Sequence, residues 1–246
     1  MESSDENTKR ERRILWKLIL RRVVGAACEM RIKLGTGARV TENDQTSPLA
    51  ETPVINLANA PGEHFAWDRP RIVIYLWAVC ELLFVTNAWQ ISSGLRVRVL
   101  RLFGAEVGEG VIFRPRTRVK FPWKLHVGDR CWIGEGVWLH NQDHIFIGHD
   151  VVISQEAFLT TGSHAHRRDM ALITRPIRIE SGVWVTSRCM ILGGAIIGQS
   201  SLIKPLSVVN SFVPANSVVG GPDGAVVGLR FEHGEVDLAS PSSAPR

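Results

Sequence analysis

The chain has 246 residues, 45% apolar and 22% charged, which excludes a disordered chain and allows one large domain or two small ones. The formal charge of +5 admits an anionic partner without naming one. Four widely spaced cysteines, Cys28, Cys80, Cys131 and Cys189, form no CxxC pair. That excludes a disulfide-stapled secreted scaffold and a zinc ribbon, and favours a reducing, cytoplasmic compartment.

The N-terminus is basic, from Lys9 to Arg13, and leads into Ile14-Leu15-Trp16. Lys17, Arg21 and Arg22 interrupt the apolar run that follows, so it reads as neither a secretory signal nor a membrane span. Arg10, Arg13, Lys17 and Arg21 fall at helical spacing. A basic amphipathic helix of this kind suits an anionic membrane surface, and equally a solvated arm. Residues 35–66 show no period and read as linker. The apolar run Ile72 to Val85 is too short for a bilayer, which needs about 20 residues. It predicts a helix packed on the rest of the fold or dipping into an interface.

From residue 107 onward an aliphatic or aromatic residue recurs every sixth position within runs set off by two-residue insertions at 125–126 and 145–146 and a longer one further on: Val107, Phe113, Val119; Val127, Ile133, Leu139; Ile147, Ile153, Leu159; then Ile179, Val185, Ile191, Ile197, Ile203, Val209. Glycine follows five of these, and a small or β-branched residue usually stands four positions on. Neither a helical nor a strand period generates this spacing. The reading is a parallel β-helix of about five three-sided coils, with the period-six residue inside, the small residue in the corner and glycine easing the bend. The domain layout follows: a basic helix and linker over 1–64, a helical lead-in over 65–104, the β-helix over 105–228 and a tail over 229–246.

Regular coils have no need to loop out, yet fourteen extra residues stand at 165–178, after Thr160-Thr161-Gly162-Ser163-His164. Long loops on rigid scaffolds carry function. His164, at the loop's root and held by the coil, is the candidate base, since imidazole takes a proton near neutral pH.

Residues 107–222 resemble the hexapeptide-repeat acetyltransferases, and within them the sugar O-acetyltransferases of exopolysaccharide synthesis of the colanic-acid type, related to the nodulation, galactoside and maltose enzymes. The stretches that carry this are Arg101 to Gly108, Phe121 to Gly128, Ile153-Ser154-Gln155, Leu159 to His164 and Leu172 to Ile177, with Trp67 to Pro70 upstream. The resemblance implies a left-handed coil and a homotrimer with acetyl-CoA and acceptor sites in clefts between prisms. It implies acetyl-CoA as acyl donor, a sugar or lipid-linked saccharide as acceptor, and no metal. His164 falls on the family's catalytic histidine. Ser187 falls on the position whose backbone N–H supports the oxyanion. Trp184 falls beside the CoA cleft, with Thr186, Pro205 and Asn210 as further candidate CoA contacts, and Lys204 or Arg188 as the charge that would compensate at the CoA phosphates for a missing basic contact. Asn141 and Asp143 fall where relatives contact the acceptor.

Three departures stand out. Lys204 to Ser211 replaces a glycine- and alanine-rich stretch, Gly220 to Gly224 lacks a basic CoA contact, and Ala165 stands where relatives often carry Asp. They leave room for a second reading, an impaired transferase serving as a scaffold. A third, a zinc enzyme of γ-carbonic-anhydrase type, rests on His144 and His149 alone. No nucleic-acid motif is present. Arg114, Arg116, Arg118 and Lys120 alternate along one predicted strand, which would put all four on one outer face. With the basic N-terminus, that face suits peripheral attachment to an anionic inner membrane.

Overall fold

The structure is a computed structural model that describes residues 54–231. The chain separates into two units, residues 1–52 and 53–246. The predicted basic N-terminal helix lies outside the described residues.

Three parallel sheets wind into a three-sided prism. The first face holds β1 (Glu106–Val107), β4 (Leu125–Val127), β7 (Ile145–Ile147), β12 (Ile177–Ile179), β15 (Ile196–Ile197) and β18 (Phe212–Val213). The second holds β2 (Ile112–Phe113), β5 (Trp132–Ile133), β8 (Val152–Ile153), β13 (Trp184–Val185), β16 (Leu202–Ile203) and β19 (Ser217–Gly220). The third holds β3 (Arg118–Val119), β6 (Trp138–His140), β9 (Phe158–Thr160), β14 (Met190–Leu192) and β17 (Val208–Val209). Each period-six residue stacks on its counterpart one coil away, as Val107 on Val127, Val127 on Ile147, Ile147 on Ile179 and Ile179 on Ile197. All fifteen are buried, and they form the narrow core. Five coils are complete, and β18 and β19 begin a sixth. That extra turn escapes a six-residue count because Val209 and Val213 are only four positions apart.

The glycines that follow the core residues do a different job from the one expected. None of the five has a positive φ; the left-handed corners belong to other residues, including Gly136, Arg130, Asp150, Glu156 and Arg188. What these five positions demand is the absence of a side chain. A Cβ on Gly128 would sit 2.7 Å from the backbone of Gly148, and one on Gly134 would sit 2.8 Å from Gln155 N. Adjacent coils approach too closely there for any other residue.

The first coil of the prism is capped by helices. α1 (Arg71–Cys80), prolonged by a wider turn over Glu81–Val85, and α2 (Ser93–Leu102) lie against the first coil. Trp77 Nε1 donates to Val119 O at 2.9 Å, and Glu81 accepts from Val119 N at 2.8 Å. Ser93 Oγ accepts from Phe113 N at 2.9 Å. The fully buried Arg96 donates to the carbonyls of Phe113, Val85, Asn87 and Gln90. Backbone groups that a further parallel strand would otherwise claim are thereby satisfied. At the far end β20 (Ala225–Leu229) turns back antiparallel on β19.

Sequence left open whether the apolar run packs or dips into an interface. Its inner side, with Trp77 and Val85, is buried, while Ile72, Tyr75, Leu76, Val79, Leu82 and Leu83 are exposed on the other side. Trp89 and Ile91 in the next link are 93% and 86% exposed. No helix among the described residues is long and apolar enough to cross a membrane. Arg114, Arg116, Arg118 and Lys120 do not share one strand face. The chain turns a corner at Arg116, whose φ is +59°, Arg116 pairs with Glu135, and Arg118 lies over the Trp138 ring.

Candidate active site

After β9 the chain leaves the prism. Thr161 is buried at the corner, and its hydroxyl accepts from Asp143 N at 2.8 Å. Gly162 follows because a Cβ there would collide with the buried Gln142 side chain. The inserted segment is a β-hairpin of β10 (Gly162–His164) and β11 (Leu172–Thr174), with His164 opposite Leu172. His164 therefore stands on the outgoing arm of the hairpin rather than on the coil itself.

The hairpin tip orients the imidazole. Ala165 is buried, and it exchanges backbone hydrogen bonds with Met170 and Ala171. Met170 is held at φ +58°, in the left-handed region, and its carbonyl accepts from His164 Nδ1 at 2.8 Å. A carbonyl only accepts, so the proton sits on Nδ1 and the Nε2 lone pair is left free. This is the tautomer a general base requires. A backbone carbonyl supplies the second contact here, and Ala165 has no side chain that could.

His164 opens on a cleft of about 580 Å³ that also takes in Arg167, Arg168, Arg175, Ile173, Leu192 and Asn210. Asn210 is thus beside the histidine. The other expected CoA contacts gather elsewhere, at the corner between the second and third faces. There Trp184 Nε1 donates to Ser154 Oγ, Ser187 Oγ donates to Gln155, and Arg188 pairs with Glu156 at 2.6 Å. Lys204 and Pro205 are exposed one coil above, where Leu206 N donates to Ser187 O. Among the described residues nothing accepts from the Ser187 backbone N–H. Within one chain β14 lies between this corner and the His164 hairpin, so the two groups do not meet.

Two expected contacts, Asn141 and Thr186, need correction. Asn141 is fully buried, and its amide exchanges two hydrogen bonds with the Phe121 backbone, at 3.0 and 2.6 Å, so it has no face for an acceptor. Asp143 is half-buried, accepts from His144 N, and is not part of the His164 cleft. The Thr186 hydroxyl is spent on Ile203 O at 2.6 Å, as is its backbone N–H, which closes a core corner.

His144 and His149 do not converge. His144 Nδ1 meets His126 Nε2 at 2.9 Å, while His149 meets Asp150 at 2.6 Å. Among the described residues no three His, Cys, Asp or Glu side chains form a metal-binding group. His126 also meets Glu106 at 2.7 Å, which makes a Glu106–His126–His144 chain along the first face. Burial, then the neighbouring His126, pushes the His144 pKa down. The sequence reading missed this chain, because its members lie about one coil apart and meet only when the coils stack. It also missed Arg175, which reaches the cleft from the returning arm of the hairpin.

A parallel β-helix interrupted by a histidine-bearing hairpin defines an acyltransferase scaffold. No family model matches the chain. It is 36% identical over 159 residues to WcaF of Escherichia coli, a protein named provisionally as a colanic acid biosynthesis acetyltransferase; this spans 63% of the chain and 86% of that protein. It is 26% identical to a galactoside O-acetyltransferase of Lactococcus lactis, over 65% of the chain and 78% of that enzyme. A solved hexapeptide-repeat acetyltransferase of Vibrio cholerae superposes with a TM-score of 0.60 at 25% identity, covering 65% of this chain and 92% of that one. The same Vibrio protein has been solved with acetyl coenzyme A. The chain belongs to the hexapeptide-repeat acetyltransferase family, and its prism is the left-handed parallel β-helix of that family.

Proposed function

We propose that the protein is a sugar O-acetyltransferase that uses acetyl-CoA, with His164 as general base. The observation that carries this is His164 itself: Nδ1 bound to the Met170 carbonyl, with Nε2 turned free in a cleft at the edge of the prism. The acceptor hydroxyl gives its proton to Nε2 as its oxygen attacks the thioester carbonyl. The Ser187 N–H supports the tetrahedral oxyanion. As the C–S bond breaks, the imidazolium returns the proton to the CoA thiolate. Trp184, Arg188, Lys204 and Pro205 line the donor's corner. The names of the relatives and the acetyl-CoA complex of the Vibrio neighbour support donor and reaction type.

Because His164 and Ser187 stand at different corners of one prism, the reaction needs a second copy to bring them together, which supports a homotrimer. The exposed apolar side chains Trp132, Trp184, Met190 and Phe212 on the flat faces support the same reading. Peripheral attachment to an anionic bilayer is the reading we give the exposed side of α1, whose apolar residues lie between Arg69 and Arg71 at one end and Trp89 at the other. The test of function is thiol release from acetyl-CoA against a panel of sugars. Acceptor-dependent release supports the transferase; no release together with no binding of acetyl-CoA in titration would favour the scaffold.

A further inference from the structure

On the coils, Arg116 pairs with Glu135, Arg130 with Asp150 and Arg188 with Glu156, each within 3 Å, while Arg118 and Arg178 lie over the rings of Trp138 and Phe146. The hairpin around His164 is built differently. Arg167, Arg168 and Arg175 all line the histidine's cleft, and among the described residues none has a carboxylate within 4 Å. The hairpin's own Asp169 accepts from Ala171 N and forms no ion pair with them. Arg167 and Arg168 also face a second cleft of about 580 Å³, shared with Val54, Ile55 and Asn56.

Three like charges held around one opening repel one another, and an oxyanion placed among them relieves that repulsion. The planar guanidinium fork suits a carboxylate or a phosphate. Of the expected donor contacts only Asn210 lines this cleft, while Arg188 and Lys204 lie at the other corner of the chain, which leaves the three arginines to the molecule whose hydroxyl meets His164. Building on the transferase reading above, we infer that the acceptor is an anionic saccharide. Its reacting hydroxyl lies at His164 Nε2, and a phosphate or carboxylate on the same molecule is held by Arg167, Arg168 and Arg175. Ile173 and Leu192 form the apolar part of the wall, against which a sugar ring can lie.

The test compares glucose, glucose 1-phosphate and glucuronate as acceptors for the full chain at saturating acetyl-CoA. Alongside it run the Arg167→Gln/Arg168→Gln/Arg175→Gln variant and Arg116→Gln, a paired coil arginine, as control. All three hairpin arginines are exposed, so thermal melts should stay close to wild type. We expect kcat/KM to favour at least one anionic acceptor over glucose by about 10- to 100-fold. The triple variant should lose that preference and Arg116→Gln should keep it. The phosphate and carboxylate arms separate the two sources of charge. Titration of the same three ligands reads the preference without turnover. Equal use and equal binding of all three by wild type overturns the inference, as does a preference that survives in the triple variant. A triple variant whose defect lies in KM for acetyl-CoA assigns the arginines to the donor and also overturns it. Acetyl transfer without anion preference leaves the transferase reading standing, whereas anion-selective binding with no transfer and no acetyl-CoA binding removes that reading and keeps the site.

Discussion

Removing the His164 imidazole should separate catalysis from stability. Among the described residues this exposed side chain makes one hydrogen bond, Nδ1 to Met170 O at 2.8 Å. Losing one such bond costs about 0.5–1.5 kcal/mol, with an exposed site near the lower end. For a unit of this size that lowers Tm by about 2–4 °C per kcal/mol, so His164→Ala should melt within a few degrees of wild type. The catalytic cost is of another order. A positioned general base contributes about 10²–10⁴ in rate, and at 1.36 kcal/mol per tenfold this is about 2.7–5.5 kcal/mol. The assay is thiol release at saturating acetyl-CoA and acceptor, run beside a circular-dichroism melt of the same preparation. Turnover within about tenfold of wild type would refute the base assignment. A melt lowered as severely as the rate would show that the histidine holds the hairpin instead of serving the reaction.

Two glycines of a single hexapeptide give a sharp comparison. Gly134→Ala drives a Cβ to 2.8 Å from Gln155 N, and an overpacked backbone contact should cost about 1–3 kcal/mol or more. Gly136→Ala, at φ +70° with only the Glu156 side chain 3.4 Å away, should cost about 1 kcal/mol; denaturant titration showing the reverse order would contradict the close-approach account. Trp77→Phe keeps most of the ring but strands the Val119 carbonyl, so the unfolding free energy should fall by about 1–3 kcal/mol, measured by the same titration. Burial lowers the pKa of both His140 and His144 below the usual 6.5, so the fold favours their neutral forms. Their contribution is full above about pH 6.5 and is lost as pH falls below it, and a His140→Phe/His144→Phe variant should show a shallower fall of Tm with acidification. Replacing Leu76 and Val79 by Glu should reduce co-sedimentation with anionic vesicles, and unchanged partition would refute attachment through α1.

The repeat was legible because a solenoid writes its geometry along the chain: one core residue per side, from Val107 to Val209, six positions apart within each uninterrupted run. The hairpin was legible as a break in that spacing, and His164 as the imidazole at its edge. Contacts between coils were less visible. Phe121 with Asn141, and Glu81 with Val119, are 20 and 38 residues apart, and no local pattern marks them. Asn141 looked like a ligand because a polar residue in a corner reads the same whether its amide faces a substrate or a backbone. The post-core glycines were visible as a pattern but misread as bend formers, since a sequence lists residue types without the distance between coils. The spread of Arg114 to Lys120 around a corner reflects the same limit: alternation predicts one face only while the strand continues, and the strands on either side of this corner, β2 and β3, are two residues long.

The elements at the two ends of the prism do not depend on how many coils lie between them. Nothing inside the repeat sets that number, because each coil meets only its neighbours. A further coil of 18 residues, inserted between two regular ones, would leave Trp77, Glu81, Ser93 and Arg96 on the first coil and β20 on the last. Length is therefore free to vary in evolution while the termini are not. A chain stripped of α1 and α2 would offer the bare backbone of Phe113 and Val119 as a template for the next strand to arrive. The short helical cap is what separates a discrete molecule from the first layer of a fibre.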